Sequence, residues 1–129
     1  MSAQEKVSMQ EFTVDTALDA EAIREACGRA AEAGTRFLDT KVVEYAATDT
    51  AIGYVINGVN LLGTQLMDLA VGWEEIGDGR RRVTLEVGDF VTDRWALWGF
   101  IPLSPRSPVA MGSLKRFSAS LRKELSWMD

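Results

Sequence analysis

The side chains with acid or base potential in this sequence are carboxylates: Asp39, Glu44, Glu86, Asp89 and Asp93 fall within, or at the ends of, segments that read as strands. Two carboxylates on one face could share a proton or hold a hard cation. The spacing sets no such pair on a common face, so an outward, solvated position is the ordinary reading for each. Asp89 is the test candidate, because it interrupts an alternating apolar pattern. Cys27 is a potential nucleophile that would need a neighbouring base or cation to ionise it. It shares a helical face with Ile23, Ala26 and Ala30 and therefore reads as a buried structural thiol. The run Arg80, Arg81, Arg82 offers guanidinium forks to a phosphate or an acidic partner. Its position after a turn and opposite Glu74 and Glu75 is better explained by cross-strand charge pairing.

The chain contains no histidine. That removes the usual acid/base group near neutral pH and the commonest metal ligand, and with them Ser-His-Asp, Cys-His and histidine-based zinc chemistries. No catalytic residue is assigned, and no metal or cofactor is expected. The remaining signal is a set of large side chains, Tyr45, Tyr54, Met67, Trp73, Trp98, Phe100, Met111 and Phe117. They form either an ordinary core or the lining of an apolar pocket for a small hydrophobic ligand.

A chain of 129 residues is long enough to bury one core without disulfides and too short for two ordinary domains, so residues 1–129 are taken as a single domain. With 47% hydrophobic and 26% charged residues, disorder is not favoured. A net charge of −5 argues against binding nucleic acid by neutralising phosphates. One cysteine makes no internal disulfide, the first residues lack the apolar run of a secretion signal, and no apolar stretch is long enough to span a bilayer. A cytoplasmic protein without integral membrane association is expected.

These side chains need elements to position them. Residues 9–14 read as a strand, and Asp19 as the N-cap of a helix stopped by Gly34. Residues 37–46 and 51–56 read as a hairpin around Thr48, Asp49 and Thr50. In 66–76 the residues Met67, Leu69, Val71 and Trp73 alternate onto one face. Gly77, Asp78 and Gly79 then turn the chain into a returning strand, 81–91, with Val83, Leu85 and Val87 inward. A bulge at Gly88 would shift the parity and bring Phe90 inward. Residues 95–101 read as the last strand. The three prolines, Pro102, Pro105 and Pro108, follow it, with Ser107 capping a final helix whose stripe is Met111, Leu114, Phe117, Leu121, Leu125 and Met128.

This order, with the stretch from Trp95 through Pro102 and Pro105 into the helix carrying Leu114, Phe117, Leu121 and Leu125, resembles the SRPBCC superfamily, the helix-grip fold of START domains, the birch-pollen-allergen type and polyketide cyclases. The resemblance implies an α+β fold. A curved antiparallel sheet of six or seven strands would follow, with one helix or a broken pair after the first strand and a long C-terminal helix packed across the sheet. It also implies a cavity for a lipid or polyketide-like molecule, with Met111, Leu114 and Phe117 facing it from the helix and Met67, Trp73 and Trp98 or Phe100 from the sheet. The first expectation is thus a hydrophobic-ligand binder. The alternative is a packing-only module acting through a homodimer or a partner subunit, and the third is a cyclase-type enzyme.

Overall fold

Three successive residues with positive φ, Gly77 (101°), Asp78 (55°) and Gly79 (71°), reverse the chain between its two longest described strands. The computed structural model describes residues 3–35, 40–58, 65–90 and 110–126. Strand β5 (Arg80–Phe90) returns antiparallel along β4 (Gln65–Gly77), placing Trp73 opposite Val83, Val71 opposite Leu85 and Leu69 opposite Val87. The register then slips, and Phe90 pairs with Met67, so the expected bulge is present at Gly88. A Cβ on residue 88 would lie 1.9 Å from Oδ1 of Asp68, so any larger residue there requires the Asp68 carboxylate to swing aside.

Strand β3 (Ala51–Gly58) pairs with the other side of β4, and β2 (Thr40–Ala47) with β3; β1 (Phe12–Thr16) pairs with the far side of β5. The result is an open antiparallel sheet in the order β1-β5-β4-β3-β2. Five strands are described where six or seven are expected. Segment 95–101, read as the last strand, lies outside the described residues, as do Ser107, the three prolines and Met128. At the other end the expectation of a strand over 9–14 needs correction. Helix α1 (Ala3–Ser8) comes first, and β1 begins only at Phe12. Val7 of α1 is fully buried, so anchorage in the core holds a six-residue helix that would not persist alone.

Helix α2 (Ala20–Gly34) starts as its sequence predicts, with the Asp19 carboxylate accepting a hydrogen bond from the Ala22 amide at 2.8 Å. Its end differs. Gly34 is the last helical residue, and Thr35 closes the helix by donating its amide and its hydroxyl to the Ala31 carbonyl at 3.1 and 2.9 Å. Gly34 serves close approach instead, because a Cβ there would meet Val42 Cγ2 at 3.0 Å and the Ser113 carbonyl at 3.1 Å.

Helix α3 (Met111–Ser126) buries Leu114, Phe117, Leu121 and Leu125 completely. Each contributes roughly 1.5–3 kcal/mol relative to an exposed position. The helix crosses the inner face of the sheet from one edge to the other. At its start the Ser113 hydroxyl hydrogen-bonds Thr40 of β2; near its middle the Phe117 ring meets Tyr54 of β3 edge-on, at 5.3 Å between centroids. At its end the Leu125 carbonyl accepts the Thr16 hydroxyl of β1 at 2.8 Å. Helix α2 lies beside it. Arg29 of α2 forks onto Glu124 of α3 at 2.9 and 2.8 Å, and Arg116 of α3 donates to the carbonyls of Ala33 and Gly34, both at 3.2 Å. The guanidinium of Arg29 holds the Glu124 carboxyl below its ordinary pKa. Among the described residues no helix is long and apolar enough to cross a membrane.

Candidate functional site

Alternation along β4 and the helical stripe of α3 aim the largest apolar side chains into one layer, between the inner face of the sheet and the helices. Tyr54, Met67, Trp73, Leu114 and Phe117, all expected at a ligand cavity, meet in this layer and are exposed by 6% or less. Met111 packs against its margin, half-buried. Tyr45 does not join them. Three residues on from the buried Val42, Tyr45 falls on the opposite face by plain alternation, 61% exposed, with its ring over Gly53, where a Cβ would come within 2.8 Å of it. Trp98 and Phe100 lie outside the described residues.

One end of the layer is less apolar. The Arg24 guanidinium stacks over Trp73 at 5.0 Å and donates to the Thr48 carbonyl; neither contact follows from local patterning, because both need α2 laid against the β2–β3 turn. Tyr54 and Cys27 sit nearby. Burial pushes the Tyr54 hydroxyl up, and it pushes the Cys27 thiol up to about 12, with Arg24 opposing and Glu44 reinforcing the rise. Cys27 is therefore a neutral, inert thiol, as the helix face predicts. A raised thiol keeps its stabilising balance below the unfolded value of 9.0 and loses it as the pH climbs from there to about 12. Cys27→Ala is expected to flatten the alkaline limb of the stability profile in that window, measured by urea unfolding. In the wild type, iodoacetamide labelling should follow global unfolding; rapid labelling of the folded chain would contradict the burial.

The candidate carboxylates do not gather. Glu44 and Glu86 are exposed, Asp89 lies in β5 beside the bulge, and Asp39 and Asp93 fall outside the described residues. Among the described residues no three acidic or cysteine side chains converge as metal ligands would. The arginine run is committed to the sheet. Arg82 lies opposite Glu74 and forks onto Asp15 of β1 at 2.9 and 3.4 Å, while Arg81 reaches Glu75 at 3.1 Å and the Leu18 carbonyl at 3.2 Å. Beside Arg82 the Asp15 carboxyl is held below its ordinary value. Pairing with Glu74 and Glu75 is legible in the sequence; pairing with Asp15 is not, because it requires β1 to lie next to β5.

The other face of the sheet carries the second feature. Its outward positions on β5 are Arg82, Thr84 and Glu86, and directly opposite them on β4 stand Glu74, Gly72 and Ala70. These residues, with Ala51, line an open groove of about 400 Å³. The signal for it in the sequence is the pair of small residues, Ala70 and Gly72, on the polar side of an otherwise bulky strand. Compared with known proteins, the chain matches no family model, no curated protein and no solved structure.

Proposed function

We propose that this chain is a non-catalytic interaction module, a packed domain that acts by holding another protein chain, either a second copy of itself or a partner subunit. One observation carries this reading. The side chains expected to line an internal cavity, Tyr54, Met67, Trp73, Leu114 and Phe117, lie against one another in the inner layer, where a carrier would keep space for its cargo. The open groove on the opposite face, floored by Ala70 and Gly72, is the surface such a module would present. The protonated, buried Cys27 supports binding over catalysis and suits a reducing cytoplasm.

A second reading, uptake of a lipid or polyketide-like molecule between sheet and α3, keeps the support of the SRPBCC resemblance and of Met67 and Met111, whose flexible side chains repack readily. Titration with a lipophilic fluorophore, together with native mass spectrometry, separates the two. No saturable uptake is expected. One-to-one occupancy by the fluorophore, or a co-purified lipid retained in the gas phase, would replace the first reading with the second.

A further inference from the structure

Resting on the interaction-module reading, and naming its partner, we infer that the groove on the open sheet face seats a second copy of this chain, related by a two-fold axis parallel to the strands and midway between β4 and β5. The argument is one of relief and charge. On this face β5 raises a ridge of Arg82, Thr84 and Glu86, and β4 beside it sinks into a furrow at Gly72 and Ala70. The furrow is open above Gly72, where an added Cβ would approach nothing closer than the Thr50 carbonyl, at 3.8 Å.

A rotation about that axis lays β5 of each copy over β4 of the other without changing the register. The ridge of one then enters the furrow of its mate: Thr84 covers Gly72 of the second copy, and the stem of Glu86 covers its Ala70. Arg82, which keeps its fork onto Asp15 of its own β1 through Nε and Nη2, turns its remaining Nη1 donors to Glu74 of the second copy, and the symmetry repeats the contact, as an isologous interface requires. Two sheets packed face to face stand about 10 Å apart with their strands within about 30° of parallel, a spacing these side chains span. Each copy carries a net charge of −5, so two copies repel overall. Unlike charges at the seam are what single out this orientation, since sliding the copies by one strand sets β4 over β4 and Glu74 against its own counterpart.

Analytical ultracentrifugation of the full chain over a concentration series tests this, with circular dichroism to confirm that each variant is folded. The wild type is expected to show a reversible monomer–dimer equilibrium. Arg82→Glu and Glu74→Arg, separately, should each weaken the dimer by about tenfold or more through like charges at the seam. The doubly exchanged chain, R82E with E74R, should regain most of the loss. Ala70→Arg leaves those charges in place and fills the furrow, and it too should give a monomer. A wild type that stays monomeric at every concentration overturns the two-fold dimer and leaves the partner-subunit form of the interaction reading standing. A wild-type dimer unaffected by A70R, or one the double exchange fails to restore, overturns the placement. Saturable fluorophore uptake instead overturns the interaction reading itself, whatever the mass.

Discussion

Phe117→Ala is expected to cost about 3–5 kcal/mol of stability, a loss at the top of the range for a single core truncation. The ring is fully buried, belongs to the stripe with which α3 meets the sheet, and contacts Tyr54 edge-on. Alanine forfeits the transfer energy of the ring and leaves a hole that the surrounding elements cannot close, since Thr40, Ser113, Thr16 and Leu125 pin α3 at both ends. Urea unfolding followed by circular dichroism should show a lower midpoint with an unchanged slope. The same variant carries a functional readout. If the wild-type layer is filled, benzene or xenon, which it excludes, should enter the ring-sized space vacated in Phe117→Ala, as small apolar molecules enter engineered cavities. A loss below about 1 kcal/mol would mean that the ring is not packed as described.

Gly34→Val should destabilise by about 1–3 kcal/mol, by overpacking. Residue 34 lies where the end of α2 passes between β2 and the start of α3, and a Cβ there needs Val42 Cγ2 and the Ser113 carbonyl to give way. One of those neighbours is backbone, so the relief must come from moving α3. The gain in helix propensity on replacing glycine works the other way, by about 1 kcal/mol at most. Gly34→Ala should accordingly be milder than Gly34→Val, and Gly28→Ala, where an added Cβ meets nothing within 4 Å, should be neutral or stabilising. Melting temperatures of the three variants check the order; a stable Gly34→Val would remove the close approach from the account.

What was legible in the sequence was local. Asp19 announces the start of α2 because an N-cap acts three residues away, and Gly77, Asp78 and Gly79 announce the hairpin because positive φ selects their types. Met67, Leu69, Val71 and Trp73 declare their face through a period that no distant contact alters. The failures share a different cause. Helix α1 is too short to signal itself and depends on a pocket for Val7, and Asp15 finds Arg82 only once β1 has come to lie beside β5; Tyr45, by contrast, is outward by simple alternation from Val42 and is misplaced only when residues are grouped by size. The arginine run illustrates both sides, since its neighbours across the hairpin are readable and its neighbour across the sheet is not. The same holds for the candidate site. Composition gathers Tyr54, Met67, Trp73 and Phe117 as one set, whereas the furrow at Ala70 and Gly72 gains meaning only from the ridge that the strand order places beside it.

The hydrogen bond from Thr16 to the Leu125 carbonyl joins residues 109 positions apart, and the neighbouring pairs of β1 with β5 join residues 65 to 73 positions apart. On the ribosome, β2, β3, β4 and β5 can zip up in sequence as each emerges, yet β1 waits for β5 and the inner face of the whole sheet waits for α3. The nascent chain therefore passes through an interval in which Tyr54, Leu69 and Val71 are formed into a sheet and still wet. Closing such long loops makes that interval long by the standards of a chain this size, so refolding should be slow. Until α3 docks, that wet inner face is the surface on which two unfinished chains would stick together, so refolding yield should fall as protein concentration rises.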